Sequence, residues 1–175
     1  MARIAILTAS DKGAAGERVD ASGDVIERRL RVSGHDLTAR VIVPDDREAI
    51  ARILAQWSDD RVAEIIVTTG GTGLTARDIT PEATRDIAER EVPGIPVALW
   101  INGLKKTPFA TLSRGIAVTR GETLIVNLPG NPRAVDEGMD VLLQLFEHIA
   151  TLLRGSVEHT SAADSGHSSE QSGTA

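Results

Sequence analysis

A β-branched run that leads directly into a glycine-rich turn limits most strongly how this chain can fold. Residues 65–69 read Ile-Ile-Val-Thr-Thr, a pattern typical of a buried strand, and three of the next four residues are glycines. Thr80-Pro81 then has the pattern of a helix start, with Thr80 as the capping residue and Pro81 in the first helical position. Because glycines let backbone N–H groups approach phosphate oxygens, the segment predicts a strand, an anion-binding loop and a helix in that order.

Hydroxyl groups and one carboxylate accompany the glycines of this loop. Thr69, Thr72 and Thr75 can donate further hydrogen bonds to a phosphate. Asp78, in contrast, would be repelled by a bound phosphate unless a divalent cation lay between the two. The loop therefore indicates a metal-nucleotide or metal-pyrophosphate site, with an Asx-turn as the alternative explanation of Asp78.

Composition and charge exclude several classes of protein. The chain has 175 residues, of which 41% are hydrophobic and 25% charged, and this fits one domain with a sizeable core. It contains no cysteine, which excludes disulfides, thiolate zinc sites and cysteine nucleophiles. A net charge of −6 argues against binding to nucleic acid or anionic lipid. The sequence shows neither a membrane span nor a signal-peptide pattern, so we expect a cytoplasmic protein without membrane attachment.

Strand-like and helix-like segments alternate along the first two thirds of the chain, which predicts an α/β fold with helices on the faces of a sheet. Ser22 is predicted to cap the helix after the first strand. Asp45, with Glu48 three residues later, resembles a capping box for the next helix. The predicted strands lie near residues 2–8, 37–43, 63–69, 115–119 and 123–128.

One long helix is predicted near the end of the chain, from Pro132 onward, with Asn131 as its cap. Its apolar residues recur at alternating spacings of four and three, which predicts either core packing or a subunit interface. Gly155 is expected to end the helix, and residues 156–175, rich in small and polar residues, are predicted to be a disordered tail after a domain of residues 1–155. The apolar residues of the helix are Val135, Met139, Leu142, Phe146, Ile149 and Leu153.

The loops that follow the predicted strands carry the candidate functional residues. In an open α/β sheet, ligands bind beyond the carboxyl ends of the strands, so these loops should converge. Asp11 follows the first strand, Asp45 the second, and Asp78 lies in the glycine loop after the third. If the strands are parallel, the three carboxylates face one cleft and would suit Mg²⁺, which prefers oxygen ligands. N-capping remains an alternative explanation of Asp45, and a turn remains one of Asp11.

A fourth loop at the same edge follows the last strand. The start of the helix at Pro132 would expose N–H donors beside Gly130, where an anion could bind. Cationic side chains in or next to other loops could contact an anionic substrate, although each is also explained as a solvated surface charge. They are Arg77, Lys105, Lys106, Arg114 and Arg133.

Signatures of other catalytic classes are missing from the sequence. The four histidines show no metal-ligand spacing, so a zinc enzyme is not expected. Ser113 has no partner histidine at a recognisable spacing and is interpreted as a substrate-binding residue or a cap rather than a nucleophile. Neither a P-loop nor a dinucleotide-binding fingerprint is present.

Five motifs in a fixed order give the sequence a family resemblance. They are Ser10-Asp11 with Gly16 and Asp20, Pro44-Asp45, residues 68–84, Leu112-Ser113-Arg114, and residues 128–132. With these motifs, residues 1–155 resemble the molybdopterin adenylyltransferase family of the MogA/MoaB type, whose fold is shared with the G domains of gephyrin and its plant counterpart. Residues 95–109 match that family only weakly.

The resemblance implies a fold, an assembly and a reaction. The fold is a three-layer α/β sandwich with a mostly parallel sheet, and the assembly is a homotrimer. The reaction is adenylylation of molybdopterin by ATP with Mg²⁺, which gives adenylyl-molybdopterin and pyrophosphate as part of molybdenum cofactor biosynthesis. Hand-over of the product to a molybdenum insertase is implied as well. A non-catalytic molybdopterin-binding or delivery protein of the MoaB branch, and a trimeric scaffold, are the alternatives.

Roles for individual residues also follow from the resemblance. Asp45 and Asp78 would be the functional carboxylates and would hold Mg²⁺. No protein nucleophile or general base is needed, because a terminal phosphate of molybdopterin is already ionised near pH 7 and can attack ATP itself. The residues implied to bind substrates or their phosphates are Ser10, Asp11, Thr69, Gly70, Gly71, Thr72, Gly73, Ser113, Pro129, Gly130 and Pro132.

Overall fold

A computed structural model describes residues 1–155 of the protein. The elements in that range are β1 (Arg3–Ala9), α1 (Asp11–Ala14), α2 (Ala21–Val32), β2 (Asp36–Val43), α3 (Arg47–Asp59), β3 (Ile65–Thr69), α4 (Thr80–Asp86), β4 (Arg90–Glu91), α5 (Gly94–Leu104), a 3₁₀ helix (Pro108–Leu112), β5 (Ala117–Arg120), β6 (Thr123–Leu128), α6 (Pro132–Leu142) and α7 (Phe146–Leu153). All five predicted strands are present. Only the two-residue strand β4 was not predicted, because it is too short to show a periodicity.

The strands form one six-stranded sheet in the order β2-β1-β3-β6-β5-β4. Neighbouring strands from β2 to β6 are parallel, whereas β5 is antiparallel to β6 and β4 is antiparallel to β5. The four parallel strands are those whose following loops were predicted to converge. Their carboxyl ends therefore lie at one edge of the sheet, where ligands bind in open α/β folds.

Alternate residues of the central strands supply two separate hydrophobic cores. On one face, Ile4 and Ile6 of β1 pack in a core shared with helices α2, α6 and α7. On the other face, Ala5 and Leu7 pack in a core shared with α3 and α4. Because successive side chains point to opposite faces, a strand that packs on both faces has apolar residues at every position. This is expected for a parallel sheet that is covered on both sides. The three-layer α/β sandwich is thereby confirmed.

Three predicted helix caps are wrong by one or two residues. Asp20 rather than Ser22 caps α2, because its carboxylate accepts the Gly23 N–H at 2.9 Å. Asp46 rather than Asp45 caps α3, and α4 has no side-chain cap, since Thr80 is already helical there. Each misplaced cap leaves a polar side chain near the carboxyl ends of the parallel strands that is not used in capping. The cap predicted at Asn131 is confirmed, since its side chain accepts the N–H groups of the next helix.

The predicted long helix is two helices, α6 and α7, separated by a turn at residues 143–145. At the turn, the Leu145 N–H bonds to the Leu142 carbonyl three residues back at 2.9 Å, instead of four residues back as in an α-helix. The apolar periodicity continues across this break, so it could not reveal the turn. Val135, Met139, Leu142 and Phe146 are fully buried in the core, which settles the choice between core and subunit interface for that part of the stripe.

The disordered tail predicted for residues 156–175 lies outside the described residues. Within residues 1–155, no helix has both the length and the apolar character that crossing a membrane would require.

Candidate active site

The glycine loop after β3 packs against the ends of its two neighbouring strands. Gly70 has a φ of +94°, and a Cβ there would lie 2.3 Å from the Ala9 carbonyl oxygen, so only glycine fits. The Gly70 N–H donates to the Leu128 carbonyl at 3.2 Å, and Gly71, with a φ of +61°, accepts the Thr80 N–H at 3.0 Å. These contacts hold the loop between the loops that follow β1 and β6.

Two adjoining cavities lie beside this loop. The smaller, of about 240 Å³, lies between the glycine loop, the segment from Arg18 to Ser22 and the start of α6. The larger, of about 560 Å³, is bounded by the other side of the glycine loop, α5, the 3₁₀ helix and α6. Gly71, Asp78 and Gly130 line both, so the two cavities meet at these residues.

Most of the predicted site residues line one cavity or both. Asp78 lies at the junction with Gly71 and Gly130, and Asp45 lines the smaller cavity. Asp11 lines neither cavity. The other residues predicted for the site divide between the smaller cavity, with Ser10, Thr69, Gly70 and Pro132, and the larger one, with Thr72, Gly73, Ser113 and Pro129.

Among residues 1–155, the Asp45 carboxylate is held through one of its two oxygens. Its Oδ2 accepts the backbone N–H of Asp11 at 3.0 Å, and its own N–H donates to Oδ1 of Asp11 at 3.0 Å. The other oxygen, Oδ1, faces the glycine loop, since a Cβ on Gly71 would lie 3.4 Å from it. Burial raises the pKa of the Asp45 carboxyl, and the nearby negative charges of Asp11 and Asp78 raise it further, against the hydrogen bond from Asp11.

Asp78 folds back onto its own loop. Its Oδ2 accepts both the backbone N–H of Thr75 at 2.9 Å and the Thr75 hydroxyl at 2.6 Å. Burial pushes its pKa upward, but the hydrogen bonds from Thr75 and Gly73 together lower it below its usual value. The hydrogen bonding of Asp78 is therefore local, but it is not the predicted Asx-turn, since the donors lie three residues before Asp78 and not two residues after it. This local bonding does not exclude a ligand role, because Asp78 also lines both cavities.

Several predicted substrate hydroxyls are already engaged within the protein. Ser10 caps α1 by accepting the Gly13 N–H at 3.1 Å, and Thr69 donates to the Pro129 carbonyl at 2.8 Å. The Ser113 hydroxyl lies 3.4 Å from that of Thr72. The Thr69 contact joins the glycine loop to the loop after β6. These side chains therefore shape the cavity walls as well as facing the space inside.

Arg114, a predicted anion-binding cation, fastens the glycine loop. Its guanidinium donates to the carbonyl of Gly73 at 2.7 Å and to the carbonyl of Asp78, and it forms an ion pair with Glu82. Its backbone N–H donates to the Thr72 carbonyl at 2.9 Å. The charge of Arg114 is thus used to close the loop around residues 73–78, and Arg77 is the predicted cation that lines the smaller cavity.

The donor groups at the cavity junction fit a hard cation. Oδ1 of Asp45 and the Asp78 carboxylate are oxygen donors, and one or two carboxylates are what Mg²⁺ usually takes from a protein. The Thr80 hydroxyl is buried without a hydrogen-bond partner among the described residues, and a Cβ on Gly71 would lie 2.4 Å from it. Within residues 1–155, no group of three His, Cys, Asp or Glu side chains is placed to hold a metal, so the cleft does not gather Asp11 with the other two carboxylates.

Some lining residues were not identified from the sequence. Arg18, Val19 and Ser22 line the smaller cavity, and Trp100 and Phe109 line the larger. Asp20, which the family motifs included, lines the smaller cavity too. Trp100 and Phe109 gave a usable signal, because the chain has only two residues of each type and aromatic side chains near loops are often ligand contacts. For Arg18 and Val19 the sequence gives no signal, since only the tertiary fold brings them to the cleft.

Comparison with known proteins shows the family to which this chain belongs. The sequence profile of a family described as a probable molybdopterin binding domain matches residues 5–148. The chain belongs to this family. It is 36% identical to the molybdopterin adenylyltransferase of Helicobacter pylori strain J99 over 87% of this chain and 88% of that protein. The fold and the resemblance predicted from the sequence are both confirmed.

Two further relatives show how the family domain is used. The chain is 36% identical to the Drosophila melanogaster molybdenum cofactor synthesis protein cinnamon over 85% of this chain, yet it spans only 25% of that protein. Among solved structures, the molybdopterin biosynthesis enzyme MoaB of Thermus thermophilus is 44% identical, with a TM-score of 0.83 over 89% of this chain and 98% of that one. The family domain thus occurs as a small protein and as part of a larger one.

Proposed function

We propose that this protein is a molybdopterin adenylyltransferase that uses ATP and Mg²⁺ to produce adenylyl-molybdopterin and pyrophosphate. The observation that carries the proposal is the meeting of two cavities at Gly71, Asp78 and Gly130, with Asp45 beside them. A transfer reaction between two anionic substrates needs two adjoining sites with a shared centre. The relatives named molybdopterin adenylyltransferase support the same reaction.

Each cavity suits one of the two substrates. The larger cavity contains the Trp100 and Phe109 rings, which can pack against the flat pterin ring system. The smaller cavity is narrower and is bordered by Arg18, Arg77 and the glycine loop, which suit the phosphates of ATP. The two reacting phosphates would then meet at Asp78.

The chemistry is the displacement of pyrophosphate at the α-phosphorus of ATP. A terminal phosphate oxygen of molybdopterin forms a bond to that phosphorus. The bond from the α-phosphorus to the oxygen that bridges to the β-phosphorus breaks, and its electron pair leaves with pyrophosphate. Because the attacking phosphate is already ionised, the protein needs to position two polyanions and to offset their charge rather than to move a proton.

Different residues at the junction would bind the phosphates and the cation. Backbone N–H groups of the glycine loop would bind phosphate oxygens, since glycines at these positions let the ligand approach closely. Asp45, through the oxygen Oδ1 that faces the glycine loop, and Asp78 would hold Mg²⁺. When bound, Mg²⁺ supplies positive charge that offsets the charge on the phosphates. Both carboxylates serve this role in their ionised form.

Pyrophosphate release measures the proposed activity directly. We expect the wild-type protein, given molybdopterin, ATP and Mg²⁺, to release pyrophosphate. Asp78→Asn should lower turnover by about a hundredfold or more while changing pterin affinity little, because a neutral amide would hold Mg²⁺ less well beside the reacting phosphates. Asp59→Asn is the matched control, since Asp59 pairs with Arg120 on the surface and lines neither cavity. A fully active Asp78→Asn enzyme would refute the catalytic assignment.

The second candidate is a binding or delivery protein without transfer activity. It is favoured by the description of the family as a probable molybdopterin binding domain, which names binding and no transfer reaction. This candidate predicts tight molybdopterin binding that is unaffected by Mg²⁺ and no transfer of AMP from ATP. Isothermal titration with and without Mg²⁺, combined with the pyrophosphate assay, separates the two functions.

We also propose that copies of the chain assemble into a homotrimer through α5. Val97, Ile101 and Leu104 lie at spacings of four and three on this helix and are each about half exposed in the single chain, at 45%, 56% and 48%. Light scattering should give the mass of a trimer for the wild type and of a monomer for Ile101→Glu. Val32→Glu, at an exposed apolar residue on α2, is the control.

We place the reaction in the cytoplasm, with a molybdenum insertase as the receiver of the product.

A further inference from the structure

The loops after β1 and β2 are joined by a pair of reciprocal hydrogen bonds. The Asp11 N–H donates to Oδ2 of Asp45 at 3.0 Å, and the Asp45 N–H donates to Oδ1 of Asp11 at 3.0 Å. The strands below are in parallel register, with Ala9 opposite Val43, and the Ser10 N–H donates to the Val43 carbonyl at 2.9 Å. The two aspartates therefore extend the pairing of β1 and β2 beyond the ends of the strands.

In the part of the chain that the structure describes, this pair and an ion pair to Arg77 use three of the four carboxylate oxygens, and the fourth faces the cleft. The remaining oxygen of Asp11, Oδ2, forms an ion pair with Arg77, which comes from the glycine loop. Both oxygens of Asp11 are thus occupied within the protein, and Asp11 lines neither cavity. The oxygen left over is Oδ1 of Asp45, which lies beside Gly71 and the buried Thr80 hydroxyl.

We infer that Asp11 is a positioning residue that fixes the Asp45 carboxylate with one oxygen directed at the reaction centre. The inference rests on the proposed function for the role of Asp45 and replaces the substrate-binding role predicted for Asp11. Asp11 acts through Asp45 and does not contact the substrates. Arg77 completes the arrangement, because it ties Asp11 to the glycine loop and so connects three of the loops at this edge of the sheet.

Two substitutions at Asp11 distinguish a role in positioning the Asp45 carboxylate from a role in protein stability alone. Asp11→Ala removes the acceptor for the Asp45 N–H together with the ion pair to Arg77. Asp11→Asn keeps an oxygen acceptor for the Asp45 N–H, but it replaces the oxygen that pairs with Arg77 by an NH2 group, which cannot accept a hydrogen bond. The control is Asp59→Asn, at the surface pair with Arg120.

Turnover and metal affinity are both measured for these variants. We expect Asp11→Ala to lower kcat by about tenfold to a hundredfold with less than about a threefold change in KM for molybdopterin, because a displaced group costs turnover rather than binding. Asp11→Asn should recover most of the lost kcat. Mn²⁺, used as a spectroscopic substitute for Mg²⁺, should bind about tenfold more weakly to Asp11→Ala than to wild type in electron paramagnetic resonance titrations.

The outcomes distinguish failure of the inference from failure of the proposed function. If the wild type releases no pyrophosphate but Mn²⁺ binding still weakens in Asp11→Ala and recovers in Asp11→Asn, the proposed function is wrong and the positioning role stands. If the wild type is active and Asp11→Ala matches it in kcat and Mn²⁺ affinity, the inference is overturned. The inference is also overturned if Asp11→Ala changes KM for molybdopterin and leaves kcat unchanged. It is overturned as well if Asp11→Asn loses as much kcat as Asp11→Ala.

Discussion

Gly70 and Gly121 both adopt left-handed backbone conformations, but their surroundings differ. Gly70, in the glycine loop, has a φ of +94° and would place a Cβ 2.3 Å from the backbone of Ala9. Gly121, in the hairpin between β5 and β6, has a φ of +53° with nothing within 4 Å of its Cβ position. At Gly121 a side chain adds only backbone strain, whereas at Gly70 it also collides with a strand end.

We therefore expect Gly70→Ala to lower the free energy of unfolding by more than about 2 kcal/mol and Gly121→Ala by only about 1 kcal/mol. Urea unfolding of the two variants and the wild type measures the difference. Equal losses in the two variants would contradict the close packing of the glycine loop against β1.

His35 is a buried titratable group away from the cavities. Its Nδ1 accepts the Ala2 N–H at 3.4 Å, and its ring meets that of Phe146 edge-on with centroids 5.5 Å apart. Burial lowers the pKa of His35, and this effect outweighs the nearby Glu147 carboxylate, which raises it. The folded protein therefore binds a proton at this site less readily than the unfolded chain does.

This depressed pKa has a defined consequence for stability. The unfolded chain takes up the proton as the pH falls through about 6.5, and the folded protein does so only at lower pH. The contribution of His35 is therefore complete above that pH and is lost as the pH falls toward the folded pKa. We expect the difference in unfolding free energy between wild type and His35→Gln to shrink from pH 7.5 to pH 5. A difference that stays constant over this range would show that the pKa of His35 is not lowered.

Sequence patterns indicated which polar residues lie beside the cavities better than they indicated the hydrogen bonds that these residues form. Asp45 was correctly placed beside the glycine loop, but its alternative role as a helix cap is wrong, because Asp46 provides the cap. Adjacent aspartates have similar capping preferences, and only the local backbone decides between them. Asp11 could not be assigned to the Asp45 backbone from the sequence, because that contact joins residues 34 positions apart.

At the scale of elements, Arg114 holds the segment between β3 and α4 in its folded conformation. Its guanidinium binds the carbonyls of Gly73 and Asp78, at either end of the loop, and pairs with Glu82 of α4. Hydrogen bonds to a charged group typically contribute about 1.5–3 kcal/mol. Without them, the loop should open more often while the strands remain intact.

We expect Arg114→Leu to speed backbone hydrogen exchange at residues 74–78 by about tenfold or more, since 1.4 kcal/mol corresponds to a factor of about ten. Arg85→Leu, which breaks the exposed pair with Glu91, is the control and should leave this loop unchanged. Exchange measured by mass spectrometry detects both effects. Unchanged protection in Arg114→Leu would mean that the loop is held by its own backbone.

Phe146 is the largest fully buried side chain of helix α7, which also packs on the core through Ala150. Phe146 is fully buried among residues of α2, α6 and the sheet, whereas Leu152 on the same helix is 47% exposed. We expect Phe146→Ala to reduce the free energy of unfolding by about 3–5 kcal/mol. Leu152→Ala should reduce it by less than about 1 kcal/mol. Chemical denaturation compares the two, and similar losses would show that α7 is not anchored as described.

Helices and strands were predicted well where a repeated residue pattern determines the element. They were predicted poorly where a single turn determines where an element ends. The strands follow from apolar runs and β-branched residues, and all five were found within two residues of their ends. The break between α6 and α7 was missed because the apolar spacing is the same on both sides. The two-residue strand β4 has no pattern of its own and forms only by pairing with β5.

At the scale of the whole molecule, the parallel order of β2, β1, β3 and β6 places the carboxyl ends of four strands at one edge of the sheet. Four loops from distant parts of the sequence meet there, and the cavities form between them and the helices above. The sequence predicted this convergence because parallel strands have their carboxyl ends at one edge. It could not predict the walls from residues 18–22 and α5, whose positions depend on how the helices pack across the sheet.

The most direct test of the account is a crystal structure of the protein with ATP and Mg²⁺. We predict that the triphosphate binds along the glycine loop and that a Mg²⁺ ion contacts Oδ1 of Asp45 and the Asp78 carboxylate. The account is contradicted if the nucleotide binds away from this edge, or if it binds there without a cation and with the Asp78 side chain turned toward solvent.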